Sequence, residues 1–367
     1  MAPRTSRQED VEFPESDRAG DLPHPRAQAE LFGHEAVARQ MASAARSGHL
    51  HHAWLISGPK GVGKATLAWR FARAVLAHGR PNCPDTLHVP PEHLAFRRVV
   101  QLAHPDVTVL RRPWDPDKKR FKTELPIAEV RKLRGFFSKH PSDGDTQLAI
   151  VDCADDMSIE AQNALLKVLE EPPKAAILLL LSHAPGQLLP TIKSRCRTLQ
   201  LRPLDADEMA KAMDQLAPDV PAPQLEMAGT LAEGAPGQAA NFAMRGSVVL
   251  YQELLTLLTT LPRLNHGMLH GFAERTVKQF ADRTVAEVAM LLSQIVERHL
   301  RSQMGTLTPM AQERDAFARM ASAVPGQAWS EYWTDLRNQF ARADALNLDK
   351  KQFVLNAFYS IESAVKS

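Results

Sequence analysis

The eight residues from Gly58 to Ala65, GPKGVGKA, place three glycines and a lysine at the spacing of a phosphate-binding loop. Gly58, Gly61 and Gly63 let backbone N–H groups close around phosphate oxygens, and Lys64 stands where a lysine reaches the β- and γ-phosphates. Such a loop normally ends in Ser or Thr, whose hydroxyl ligates magnesium; here that position is Ala65. Thr66 follows, but one helical step turns its side chain by about 100°. The loop has the chemistry to hold ATP or ADP, with little provision for the metal that hydrolysis needs.

A second group lies further along. LAIVD, from Leu148 to Asp152, is an apolar run ending in a carboxylate. An Asp at such a strand end holds magnesium through water beside a phosphate loop. In an ATPase of this kind a Glu comes next and polarises the attacking water. Here the next residue is Cys153, and a thiol is a poor base for water. Asp155 and Asp156 are close in sequence, but their spacing does not say where they point.

These groups need elements to position them. AWLIS, from Ala53 to Ser57, reads as the buried strand before the loop, and 65–76 has helical apolar spacing after it. Further strands are expected at 106–110, 147–151, 176–181 and 197–201. Helices are expected at 31–46, 127–137 and from a Ser158 cap to Glu170, before Pro172 and Pro173. Strands alternating with helices imply a parallel sheet covered on both faces. After Pro203 strand signals fade. Residues 204–247 read as a small helical unit, and 248–367 as wholly helical, with helices at 249–261, 285–304, 332–346 and 352–365. Residues 1–28 are charged, Pro-bearing and aperiodic, the pattern of a disordered tail, which leaves 29–203 for the α/β domain.

Composition narrows the function classes. With 367 residues, two or three domains are expected, and an apolar fraction of 44% suffices for packed cores. No apolar run nears the roughly 18–20 residues of a membrane span, and the first residues have no signal-peptide core, so a cytoplasmic protein without membrane partners is expected. Cys83, Cys153 and Cys196 are too few and too scattered for a disulfide framework or a four-ligand zinc site, so no metal is assigned. A net charge of +2 argues against holding nucleic acid by charge alone. The basic run from Lys118 to Lys122 reads as a solvated loop, His104 to Asp106 as a turn, and Trp54 and Trp69 as packing residues.

Two longer strings carry a resemblance. AQNALLKVLEEPP runs from Ala161 to Pro173, and LPTIKSRC from Leu189 to Cys196; Gly33 with His34, and HHAWL from His51 to Leu55, accompany them. With these motifs the chain resembles the clamp-loader AAA+ proteins of bacterial replication over residues 30 to 205. Beyond that it matches only in being helical, as that family's collar domain is. The resemblance implies an AAA+ P-loop NTPase-type α/β domain at 29–203, a helical lid at 204–247 and an all-helical collar at 248–367. It also implies that Arg195 of the Ser194–Cys196 motif reaches a neighbouring subunit's γ-phosphate. A guanidinium there spreads the charge of the transferring phosphoryl group, worth roughly 10³–10⁵ in rate.

Three departures concern the chain's own site: Ala65, Cys153, and a lid segment GAPGQ from Gly234 to Gln238 with no arginine. Losing these while keeping Arg195 implies a subunit that serves a neighbour's ATP. The implied assembly is a hetero-pentamer of gamma/tau-like ATPase subunits and a delta-like subunit, within a DNA polymerase III holoenzyme, loading a sliding clamp onto primed DNA. Relatives often carry a zinc module after the phosphate-loop helix; with only Cys83 in that segment, no zinc is expected here. The competing readings are an ATP-hydrolysing motor subunit and a stand-alone nucleic-acid-binding module.

Overall fold

The computed structural model describes residues 14–20, 22–280, 283–324, 326–346 and 349–366. It divides into two compact units, one ending at Asn241 and one beginning at Phe242.

In the first unit the strands are β1 (Ala53–Ser57), β2 (Val107–Leu110), β3 (Trp114–Asp115), β4 (Arg120–Phe121), β5 (Gln147–Val151), β6 (Ala176–Ser182) and β7 (Arg197–Gln200). Five of them form a parallel sheet in the order β2-β5-β6-β1-β7, with Ala53 opposite Leu178 and Trp54 opposite Arg197. Every residue of β1, β5 and β6 is buried, because both sheet faces are covered. Side chains alternate between faces. Trp54, Ile56, Ile150 and Leu179 join one core with Met41, Trp69 and Phe71; Leu55, Val151 and Leu180 join the other with Leu133, Leu165 and Ile192.

Helices supply those covers: α1 (Glu35–Arg46), α2 (Lys64–His78), α3 (Leu94–Val100), α4 (Ile127–Phe137), α5 (Ile159–Glu170) and α6 (Pro190–Lys193). The chain continues in α7 (Ala206–Leu216), α8 (Ala222–Leu231) and α9 (Pro236–Met244). Ser158 caps α5 by accepting from the Ala161 N–H at 3.2 Å. Asp205 and Glu208 form a capping box at α7. The basic run from Lys118 to Lys122 includes β4 of an exposed two-stranded hairpin, closed by Trp114 edge-on to Phe121, rather than a plain loop.

One expectation is corrected. Of the segment 1–28 read as a disordered tail, residues 1–13 lie outside the described residues, and much of the rest is held in place. Arg111 pairs with Asp17 at 2.8 Å and with Glu15 at 2.6 Å; Arg26 pairs with Glu15 at 2.8 Å. From α2, Arg73 donates to the carbonyls of Arg26 and Gln28, and Arg70 to that of Ala29. The charges that suggest disorder are the fasteners. Its Leu22 and His24 are buried, and the His24 ring meets Trp69 edge-on.

The second unit consists of α10 (Ser247–Leu258), α11 (His266–Gln279), α12 (Thr284–Gln303), α13 (Arg314–Ala323), α14 (Gly326–Leu346) and α15 (Lys350–Lys366). Helix α10 stops before the expected Leu261 because Pro262 bars helical backbone in the preceding residue. Helices α12 and α14 pack together, and Leu254, Leu291, Ile295 and Phe358 are among the buried apolar residues. Glu313 is buried with its charge matched: Arg298 Nε donates to it at 2.6 Å, Tyr251 Oη at 2.6 Å and the Met310 N–H at 2.8 Å.

Candidate functional site

The phosphate loop joins β1 to α2, so its groups emerge at the carboxyl edge of the sheet. Ligands bind at this edge in open α/β folds. Among the described residues, the N–H groups of Gly61, Gly63, Lys64 and Ala65 meet no protein acceptor. Free amides at a helix N-terminus form an anion cradle, and they fit a nucleotide's phosphates. Gly58 and Gly61 are required by shape. A Cβ on Gly58 would stand 2.6 Å from the Leu201 carbonyl oxygen, and one on Gly61 2.5 Å from the Gln238 nitrogen.

Lys64 is turned inward. Its Nζ donates to the carbonyls of Gly58 and Pro59, both at 2.7 Å, and the residue is 4% exposed. Burial pulls its pKa down to about 8, opposed by the neighbouring Cys153, Asp152 and Asp155. A phosphate in the cradle would accept from the ammonium in place of the two carbonyls. The arginine-free segment from Gly234 to Gln238 also touches the loop: the Gly237 N–H donates to the Gly61 carbonyl at 2.9 Å, at the start of α9.

Asp152 follows β5, and its N–H is held by the Leu110 carbonyl at 2.8 Å. Burial, then the nearby Asp17 charge, raises its pKa to about 7, while Lys64 opposes the rise. Ala65 adds no oxygen ligand. Cys153 is buried, and its thiol donates to Asp155 Oδ2 at 3.0 Å. Burial and that bond push its pKa far up, so it is a protonated donor at neutral pH.

Asp155 is a site residue that sequence spacing missed. Besides the thiol it accepts from Ser182 Oγ at 2.5 Å, and from the N–H groups of His183 at 2.5 Å and Ala184 at 3.2 Å. Burial alone would raise its pKa; these donors outweigh burial and hold it below the usual carboxylate range. Asp155 thereby ties the end of β5 to the end of β6 behind Lys64. The signal was faint: a carboxylate in a short turn, facing a strand that ends in serine.

Glu15, Asp17 and His24 bring three ligand-type atoms within 4.8 Å of one another. The guanidinium groups of Arg26 and Arg111 already neutralise both carboxylates. His24 Nδ1 accepts from the Arg26 N–H at 3.1 Å, which leaves a protonated Nε2 facing Asp17 at 3.1 Å. This is an ion-pair network and not a cation site.

Arg195 lies apart from these groups, on the surface just beyond α6. Its guanidinium Nη1 donates to the Thr191 carbonyl at 3.1 Å, its Nη2 forms an ion pair with Glu170 Oε1 at 2.9 Å, and the side chain is 37% exposed. The structure thus gathers Gly58, Gly61, Gly63, Lys64 and Asp152 at one sheet edge and leaves Arg195 facing outward.

A parallel sheet with a glycine-lysine loop between β1 and α2 defines an α/β domain of AAA+ form, followed by an all-helical region. The family model described as DNA polymerase III, delta subunit, matches residues 33–205. The chain is 38% identical over 188 residues to DNA polymerase III subunit delta' of Pseudomonas aeruginosa, covering 50% of this chain and 53% of that protein. It is 34% identical over 157 residues to subunit delta' of Bacillus subtilis, covering 42% and 43%. Against subunit tau of Bacillus subtilis it is 25% identical over 285 residues, covering 75% and 47%. Over residues 33–205 the chain is a delta-prime/clamp-loader-related AAA+ domain of the DNA polymerase III subunit type. It spans about half the length of the curated relatives it matches. Among the described residues no helix is long and apolar enough to cross a membrane.

Proposed function

We propose that this chain is a delta-prime-like subunit of a DNA polymerase III clamp loader, a stator that lends Arg195 to a neighbouring gamma/tau-like ATPase. The observation that carries this reading is a contrast within one domain. Its own phosphate cradle is intact, yet Ala65 stands in the metal-ligand position and a protonated Cys153 in that of the water-activating carboxylate. Arg195, meanwhile, is presented at the surface. Such a site holds ATP or ADP on the amides of Gly61 and Gly63 and on Lys64, beside Asp152, without turning ATP over. In the assembly, with a delta-like subunit as a further partner, the outcome is loading of a sliding clamp onto primed DNA. The competing motor-subunit reading rests on the same cradle and lysine but lacks a base.

The test is a reconstituted complex carrying Arg195→Ala. DNA-stimulated ATP hydrolysis and clamp loading are expected to fall, the rate more than the nucleotide affinity, because the guanidinium acts on charge that develops in the transition state. Arg195→Lys is also expected to be impaired, since a point charge lacks the planar donor fork. Wild-type behaviour of Arg195→Ala in both assays would remove the proposed role.

A further inference from the structure

Helix α5 ends in two consecutive glutamates, Glu170 and Glu171. Its C-terminal end carries partial negative charge from the unpaired carbonyls, so acidic side chains there oppose the helix. Neither glutamate serves α5 itself. Glu170 Oε1 instead meets Arg195 at 2.9 Å.

Both sides of this contact are built on fixed elements. The Gln162 side chain, from the middle of α5, accepts the Leu189 N–H at 2.9 Å, immediately before α6. Ile192 of α6 is fully buried in the same core as Leu165 and Leu169 of α5. Helix α6 is therefore docked on α5, and Arg195 emerges from it within reach of Glu170. Nη2 of the guanidinium is ion-paired with Glu170 and Nη1 donates to the Thr191 carbonyl. Both partners remain open to solvent, at 37% and 49% side-chain exposure.

We infer that Glu170 is a positioning residue for Arg195: it docks the guanidinium while no phosphate is present and must release it when a neighbouring subunit presents a polyphosphate. The inference rests on the proposed role of Arg195 and adds a threshold to it. Glu170 holds the Nη2 end of the guanidinium, and a phosphate taking the planar N–H fork needs that same nitrogen, so the two compete. An exposed ion pair is weak, so the latch shifts engagement by no more than about fivefold. Its effect falls on how readily the phosphate is engaged, since Glu170 is displaced before the transition state forms.

Two measurements test this. In the isolated chain, side-chain ¹⁵Nε relaxation of Arg195 should report an ordered guanidinium that becomes mobile in Glu170→Gln and stays ordered in Glu171→Gln. An Arg195 that is already mobile, or indifferent to Glu170→Gln, overturns the latch. In the reconstituted complex, Glu170→Gln should lower the ATP concentration for half-maximal hydrolysis by about two- to fivefold with kcat unchanged. Glu170→Asp should restore part of the wild-type value. With Arg195→Ala as background, Glu170→Gln should have no effect. A fall in kcat, or the same shift without Arg195, overturns the inference while leaving the Arg195 role intact. If Arg195→Ala is itself silent in the complex, the role of Arg195 fails and the threshold fails with it, whatever the relaxation data show.

Discussion

The Gly237 N–H donates to the Gly61 carbonyl at 2.9 Å, so the first turn of α9 is bonded to the middle of the phosphate loop. Gly61 has φ of 80°, and a Cβ there would stand 2.5 Å from the Gln238 nitrogen. Loop geometry and the placement of α9 depend on each other through this glycine.

Gly61→Ala should therefore cost more than its backbone angle alone. A left-handed angle costs an alanine about 1–2 kcal/mol, and the contact with backbone of α9 adds to it. Gly48 is the control, since it has φ of 74° with nothing within 4 Å of its Cβ position. Chemical denaturation should show a larger loss of stability for Gly61→Ala than for Gly48→Ala. Equal losses would mean that α9 yields freely.

Lys64 makes phosphate binding sensitive to pH. Its pKa of about 8 in the folded chain means that the ammonium is present below that pH and lost above it. Calorimetric affinity for ADP should be steady from pH 6 to 7 and weaken as pH rises through about 8. Lys64→Met should bind less tightly and lose this dependence. Folding has the opposite trend. The unfolded lysine keeps its proton to about 10.5, so burying the charged Lys64 costs stability below about pH 8, and that cost is relieved as pH rises from about 8 to 10.5.

Steady-state phosphate release by the purified chain should stay at background. Cys153→Glu with Ala65→Thr should not restore motor-level turnover. A glutamate at 153 would lie beside Asp155, replacing a donor by a second negative charge. Lysine-dependent turnover by the unaltered chain, abolished in Lys64→Ala, would contradict the stator reading.

The Glu15–Asp17–Arg111 network should matter far more than an exposed pair. Asp17 has no exposed side-chain surface; burial alone would raise its pKa, and His24 and Arg111 outweigh that and lower it. Glu15 is likewise lowered, by Arg26 and Arg111 against burial. Arg111→Met leaves the buried Asp17 with no guanidinium and Glu15 with Arg26 alone, and should cost about 3 kcal/mol at pH 7. Arg98→Ala, which breaks an exposed pair with Asp143, should cost under about 1 kcal/mol. Carboxylates with lowered folded pKa stabilise the fold above about pH 4 and lose that contribution as pH falls through the folded value. The gap between wild type and Arg111→Met in denaturant midpoint should therefore narrow near pH 3.

Elements that carry their reason locally were legible in the sequence. Strands β1 and β5 lie at the expected residues because strands buried on both faces leave unbroken apolar runs. The cap at Ser158 was readable because the capping hydroxyl lies next to the turn it serves. The segment around Glu15 and Asp17 was not, because its partners Arg70, Arg73 and Arg111 are distant in sequence and leave no periodic trace. Helix α11 was hidden by Gly267 and Gly271, both poor helix formers, and α13 by having only Ala316, Phe317 and Met320 buried. At the site, the glycines and Lys64 were plain from spacing. The inward turn of Lys64 and the four donors on Asp155 come from tertiary approach, which one-dimensional spacing does not encode.

The strand order β2-β5-β6-β1-β7 also bears on how the chain comes off the ribosome. Strand β1 pairs only with β6 and β7, through contacts such as Ala53 with Leu178 and Trp54 with Arg197. Its apolar residues are thus made early and wait, without a hydrogen-bonding neighbour, until more than a hundred further residues have emerged. Chaperone capture of nascent chains should accordingly be greatest for lengths ending between β5 and β6 and should fall once β7 has cleared the exit tunnel.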